Sequence, residues 1–168
     1  MVEENPLNWE VEPSENFLDN NYLYRGIKKV LWSTWPDLRK IYPNFFTIKQ
    51  TKGGLSVDWS KYCSSEDALN HLPNPSLTVY GISQLNVGDL RECINQNNFL
   101  IEIKHDPVRV ATESLKVNRG HTLLTNFRKE GKSRIRTKVR VELSKIANWS
   151  PKMNPIKKYN DDFNHHYI

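Results

Sequence analysis

The shortness of its apolar segments most constrains how this chain can fold. Tyr22-Leu23-Tyr24-Arg25-Gly26-Ile27, Gly54-Leu55-Ser56-Val57-Asp58-Trp59, Leu77-Thr78-Val79-Tyr80-Gly81-Ile82, Phe99-Leu100-Ile101-Glu102-Ile103 and His121-Thr122-Leu123-Leu124 run only four to six residues each. β-Branched and aromatic residues dominate them, often alternating with polar ones, which predicts strands with one buried face. Helical spacing appears between them. Val30, Leu31, Trp35, Leu38 and Ile41 fit a helix that Pro36 splits in two. Ser64 or Ser65 can cap a short helix through Leu69, and Asn86 can cap one through Val87, Leu90, Cys93 and Ile94, with Asn97-Asn98 as its exit. These elements predict a single α+β domain, a mixed or mainly antiparallel sheet with a few short helices.

Two further segments read less simply. Asn44-Phe45-Phe46-Thr47-Ile48-Lys49 reads as extended, with Thr51-Lys52-Gly53-Gly54 turning it into the next strand. Residues 135–143 alternate apolar and polar like a strand, yet Val139, Leu143, Ile146 and Ala147 also share one helical face. Extended backbone to about Val139 followed by helix to Trp149 is the expectation there.

The 168 residues suit one domain, and 38% hydrophobic content suits a packed core. No apolar run approaches the roughly 18–20 residues that a membrane span needs, and the first residues lack a signal peptide's pattern, so a cytoplasmic protein is expected. Cys63 and Cys93 are too few and too far apart for a disulfide framework or a metal knuckle, and both read as structural. No cofactor motif and no metal-ligand spacing is visible, and no cofactor is expected.

Charge divides the chain into three parts. Residues 1–21 hold six acids and no Lys or Arg; the remainder holds 24 basic residues against 13 acids. Between Lys104 and Lys145 twelve basic residues face four acidic ones. The expected organisation is an acidic arm over 1–21, an α+β domain over 22–149 and an irregular tail over 150–168. Trp9 and Phe17 are the arm's anchors, and its acids are placed to cover basic surface on the body. Such asymmetry favours an anionic partner. Arg134, Arg136, Lys138 and Arg140, with Lys129 and Lys132, would track a phosphate backbone as a basic binding or accessory module for nucleic acid or another polyanion.

Three polar islands interrupt the apolar strands. Arg25 beside Gly26 can present its guanidinium to a phosphate. Ser56 and Asp58 share the strand face opposite Leu55 and Val57, where they can orient a ligand hydroxyl or a histidine. Asn118-Arg119-Gly120-His121-Thr122 follows a long loop, and His121 at a strand start can serve as general acid or base. His105-Asp106-Pro107 reads as a turn. The bland alternatives are a surface ion pair for Arg25, a loop tie for Ser56 and Asp58, and a structural hydrogen bond for His121.

These islands, in this order, resemble a family of small uncharacterised bacterial proteins in which the last island usually reads Asn-Pro-x-His-Ala. The resemblance spans roughly residues 22–149; here Arg119 stands in place of the proline and Thr122 in place of the alanine. It implies one shared site, with no reaction attached. The layout of an arginine, a serine on a second strand and a polar residue on a third is also similar to ADP-ribosyltransferase-like folds. There the arginine would grip a nucleotide phosphate; Glu102 and Glu113 are the candidates for the glutamate those enzymes use. An enzyme acting on a nucleotide or nucleic acid, ADP-ribosyltransferase-like or nuclease-like, with Arg25, Ser56, Asp58 and His121 as catalytic candidates and Asn118 and Arg119 as ligand contacts, is the second expectation. A protein-binding adaptor in a bacterial conflict system is the third.

Overall fold

A computed structural model of the chain describes residues 4–32, 40–47, 54–76, 80–113, 115–127 and 133–154, with the backbone alone described at 30, 32 and 133–135. Its framework is one six-stranded sheet: β1 (Tyr22–Lys28), β2 (Leu55–Trp59), β3 (Tyr80–Asn86), β4 (Glu102–His105), β5 (His121–Thr125) and β6 (Asn148–Trp149). The spatial order is β4-β5-β2-β1-β3-β6, and every neighbouring pair is antiparallel. The helices are α1 (Lys29–Trp32), α2 (Ser65–Asn70), α3 (Val87–Asn97) and α4 (Ser133–Ile146). The α+β architecture expected from the alternating segments is the one observed.

Alternation separates the two sheet faces. Leu23, Ile27, Leu55, Val57, Trp59, Leu85, Ile103 and Leu124 point into one buried cluster. Val87 and Leu90 of α3, Val139 and Leu143 of α4, and Phe45 and Phe46 close it. Full burial of a side chain of this size contributes about 1.5–3 kcal/mol, so this face supplies most of the stabilisation. The other face carries Ile82 and is covered by α2, which packs on β1 and β3. Gly26 permits that approach: a Cβ there would lie 2.3 Å from Leu72 Cδ1.

The caps form as their sequences imply. Ser64 Oγ accepts from Asp67 N while the Asp67 carboxylate accepts from Ser64 N, a complete capping box for α2. The Asn86 side chain accepts from Asp89 N at the start of α3, and Asn98 closes that helix with φ 52°.

Two expectations are corrected. Pro43–Phe46 is a 3-10 turn rather than an extended segment. Phe45 and Phe46 are both buried, and consecutive strand residues cannot face the same core. Residues 135–143 are helix throughout, within α4, because Val139 and Leu143, four apart, both enter the core. Arg136, Lys138 and Arg140 therefore spread around a helix instead of lining one strand face; Arg134 is on the same helix, its side chain not described. β3 extends to Asn86 and β4 begins only at Glu102. The break at Pro36, the turn at 51–53, Lys129, Lys132 and the tail beyond Asn154 lie outside the described residues. Among the described residues no helix is long and apolar enough to cross a membrane.

The acidic arm is bonded to the body. Phe17 is wholly buried and stacks on Trp59 with ring centroids 3.8 Å apart. Glu4 pairs with Arg119, Glu12 with Lys61, and Asp19 with Arg91. Arg109 donates from Nε and a terminal nitrogen to the Trp9 carbonyl. The first tail residues also join the sheet, Ser150 N donating to Ile82 O at 2.7 Å.

Candidate active site

Pairing of β2 with β5 brings the islands together. Asp58 lies directly across from His121 and Ser56 across from Leu123, so Ser56, Asp58 and His121 share the sheet face that α2 covers. Ser56 Oγ and His121 Nε2 are 2.8 Å apart. On the other side of the ring, Nδ1 lies 2.7 Å from the Asp106 carbonyl oxygen. A carbonyl can only accept, so Nδ1 carries the proton. In the neutral ring Nε2 then presents its lone pair and the Ser56 hydroxyl donates to it. The Asp106 carboxylate stands 3.7 Å from Nδ1.

Asp58 organises a second pair. Its Oδ2 accepts from His71 Nδ1 at 3.0 Å and its Oδ1 from Asn118 Nδ2 at 2.7 Å. The Asn118 carbonyl in turn accepts from Gly120 N at 2.9 Å, which fixes the turn leading into His121. Asp58, Asn118 and His121 are each under a tenth exposed, while Ser56 and His71 are half-buried. Both histidines thus have Nδ1 committed as a donor and Nε2 left for chemistry.

Arg25 does not join this group. It shares the strand face of Leu23 and Ile27, donating from Nε to the Phe45 carbonyl at 3.0 Å and from a terminal nitrogen to the Ser56 carbonyl at 2.8 Å. Burial pulls its guanidinium down to about 10, so it remains charged at neutral pH. It clips the 3-10 turn to β2, and the arginine contact that the ADP-ribosyltransferase-like layout implies is absent from the Ser56 face. Glu102 on β4 and Glu113 in the following loop are exposed, and among the described residues neither bonds to the cluster. Arg119 also points elsewhere, its guanidinium 4.6 Å from the Tyr62 ring centre. Lys138 lies over the Phe99 ring, and Arg140 donates to Thr137.

His71 and Asp106 were missed as site residues. Nothing local marks His71, because the return of α2 across the sheet brings it to Asp58, thirteen residues earlier in the chain. Asp106 reads as a turn residue, and its contribution is mainly its backbone carbonyl. Cys63 lies near Asp58, but burial, with Asp58 and Asp67 adding to it, raises its thiol well above the ordinary range, so no thiolate nucleophile is present. Among the described residues no group of three or more His, Cys, Asp or Glu side chains could hold a metal ion.

No family model matches this chain, and neither does any curated protein or solved structure at a significant level.

Proposed function

We propose that the chain is an enzyme acting on a phosphate-bearing substrate of nucleotide or nucleic-acid type, with Ser56 as nucleophile and His121 as its general base. One observation carries the reading: the half-buried Ser56 hydroxyl donates to an imidazole nitrogen whose ring partner is pinned by the Asp106 carbonyl. As Ser56 Oγ bonds to phosphorus, its proton passes to His121 Nε2. The imidazolium then returns that proton to the departing oxygen as the ester bond breaks. Water then attacks phosphorus, His121 Nε2 taking its proton and passing it to Ser56 Oγ as the Oγ–P bond breaks, which releases the product and restores both groups. Asn118 is the positioning residue that holds Asp58 and the turn before His121. The formal net charge of +5 favours an anionic substrate.

A fluorophosphonate probe tests the nucleophile without knowledge of the substrate. Ser56 should be labelled, as mapped by peptide mass spectrometry, and His121→Ala should reduce the labelling rate at least about a hundredfold. Labelling absent from Ser56, or unchanged by His121→Ala in a folded variant, would remove the proposal.

A further inference from the structure

We infer that arm residues 4–12 are a displaceable acidic cover over a second surface, formed by Lys61, Arg109 and Arg119, that binds the backbone of single-stranded nucleic acid. This surface stands apart from the Ser56 chemistry: Tyr62 and His105 beneath it pack on Trp59, on the sheet face opposite Ser56. The observations concern how the arm is held. Phe17 is its core anchor, whereas no residue from Glu4 to Glu12 is buried, and Leu7 and Val11 are more than half exposed. This stretch is held by an exposed ion pair, Glu4 with Arg119, by a half-buried one, Glu12 with Lys61, and by hydrogen bonds from Arg109 to the Trp9 carbonyl and from Glu12 N to His105 Nδ1 at 2.9 Å. Contacts of this kind hold weakly, and a polyanion can compete for them.

The cations beneath suit phosphate. Arg109 already grips one carbonyl oxygen with two N–H groups, the fork geometry that phosphate oxygens accept. Arg119 uses one terminal nitrogen on Glu4 while its buried Nε–H has no acceptor among the described residues. A phosphate in place of the Glu4 carboxylate would supply one. Three separate cations suit a chain of phosphates better than a single anion.

The test uses the full chain with both carboxylates neutralised, Glu4→Gln with Glu12→Gln, and a fluorescein-labelled oligothymidylate of about twelve nucleotides. Fluorescence anisotropy should show binding about fivefold tighter than the parent at low salt, weakening steeply as salt rises. Adding Arg119→Gln and Lys61→Gln should abolish the gain, with circular dichroism showing each variant folded. Unchanged affinity in the folded double variant, or a gain that survives loss of Lys61 and Arg119, would overturn the inference. A gain for polyglutamate but not for the oligonucleotide would overturn the nucleic-acid assignment. Fluorophosphonate labelling of Ser56, run on the same samples, reports separately on the active-site proposal.

Discussion

Replacing Asn118 by alanine removes two buried hydrogen bonds at once, and its cost can be worked from its partners. Asp58 Oδ1 loses the donor at 2.7 Å, and Gly120 N loses its acceptor at 2.9 Å. Each buried group left unsatisfied costs about 1–3 kcal/mol, with the charged one toward the upper end. The two losses share one side chain and one turn, so about 3–4 kcal/mol in total is expected. For a chain of this length that corresponds to a fall in Tm of about 6–16 °C. Urea unfolding followed by tryptophan fluorescence measures it, since Trp59 lies in the core against Phe17. Asn118→Asp sharpens the test. It keeps the acceptor for Gly120 but sets a second carboxylate against Asp58, so one of the two takes up a proton more readily when folded than when unfolded. Its deficit against the parent should be largest at neutral pH and should shrink as pH falls toward about 4, where a shared proton restores a donor. An Asn118→Ala variant within about 0.5 kcal/mol of the parent would refute the bridging role.

Four further outcomes are expected. His105 accepts from Glu12 N at Nδ1 and donates to the Arg119 carbonyl at Nε2, and burial lowers its pKa, so the folded protein resists its protonation. Its contribution to stability should hold above the ordinary value of about 6.5 and be lost as pH falls below it, giving the parent a steeper acid loss than His105→Gln in urea midpoints taken from pH 8 to 5. Arg25→Lys cannot serve both the Phe45 and Ser56 carbonyls and should cost about 1–2 kcal/mol in the same unfolding assay, with Ser56 labelling per folded molecule unchanged. Phe17→Ala should cost about 3–5 kcal/mol by urea unfolding, separating this core anchor from the weakly held arm before it. Gly54→Ala should destabilise more than Gly26→Ala by thermal unfolding, because the new Cβ meets the Leu124 backbone oxygen at 2.6 Å, whereas at Gly26 it meets the movable end of Leu72.

How much of this was legible depends on whether a feature was local. β2 and β5 followed from short alternating runs, and the shared face of Ser56 and Asp58 followed from strand parity alone. The same parity places Arg25 with Leu23 and Ile27, so its position outside the site was legible in the sequence as well. Pro43–Phe46 misled because adjacent aromatics suit a strand by composition while their joint burial requires a turn. α4 misled because Ile135 to Leu143 fits both periods; tertiary context decides, since α3 and the 3-10 turn leave a groove for a helix. His71 had no sequence signal. Its role comes from the packing of α2 on β1 and β3, which sets the residue after the helix against Asp58.

The tautomer of His121 tests the central claim most directly. Long-range ¹H–¹⁵N correlation of the histidine rings in the folded protein near pH 8 should show the proton on Nδ1 of His121 and of His71, and on Nε2 of His105. With Nδ1 protonated, Nε2 of His121 is free to take the Ser56 proton. A proton found on His121 Nε2 would make the ring a donor to Ser56, unable to act as its base, and would contradict the proposed function.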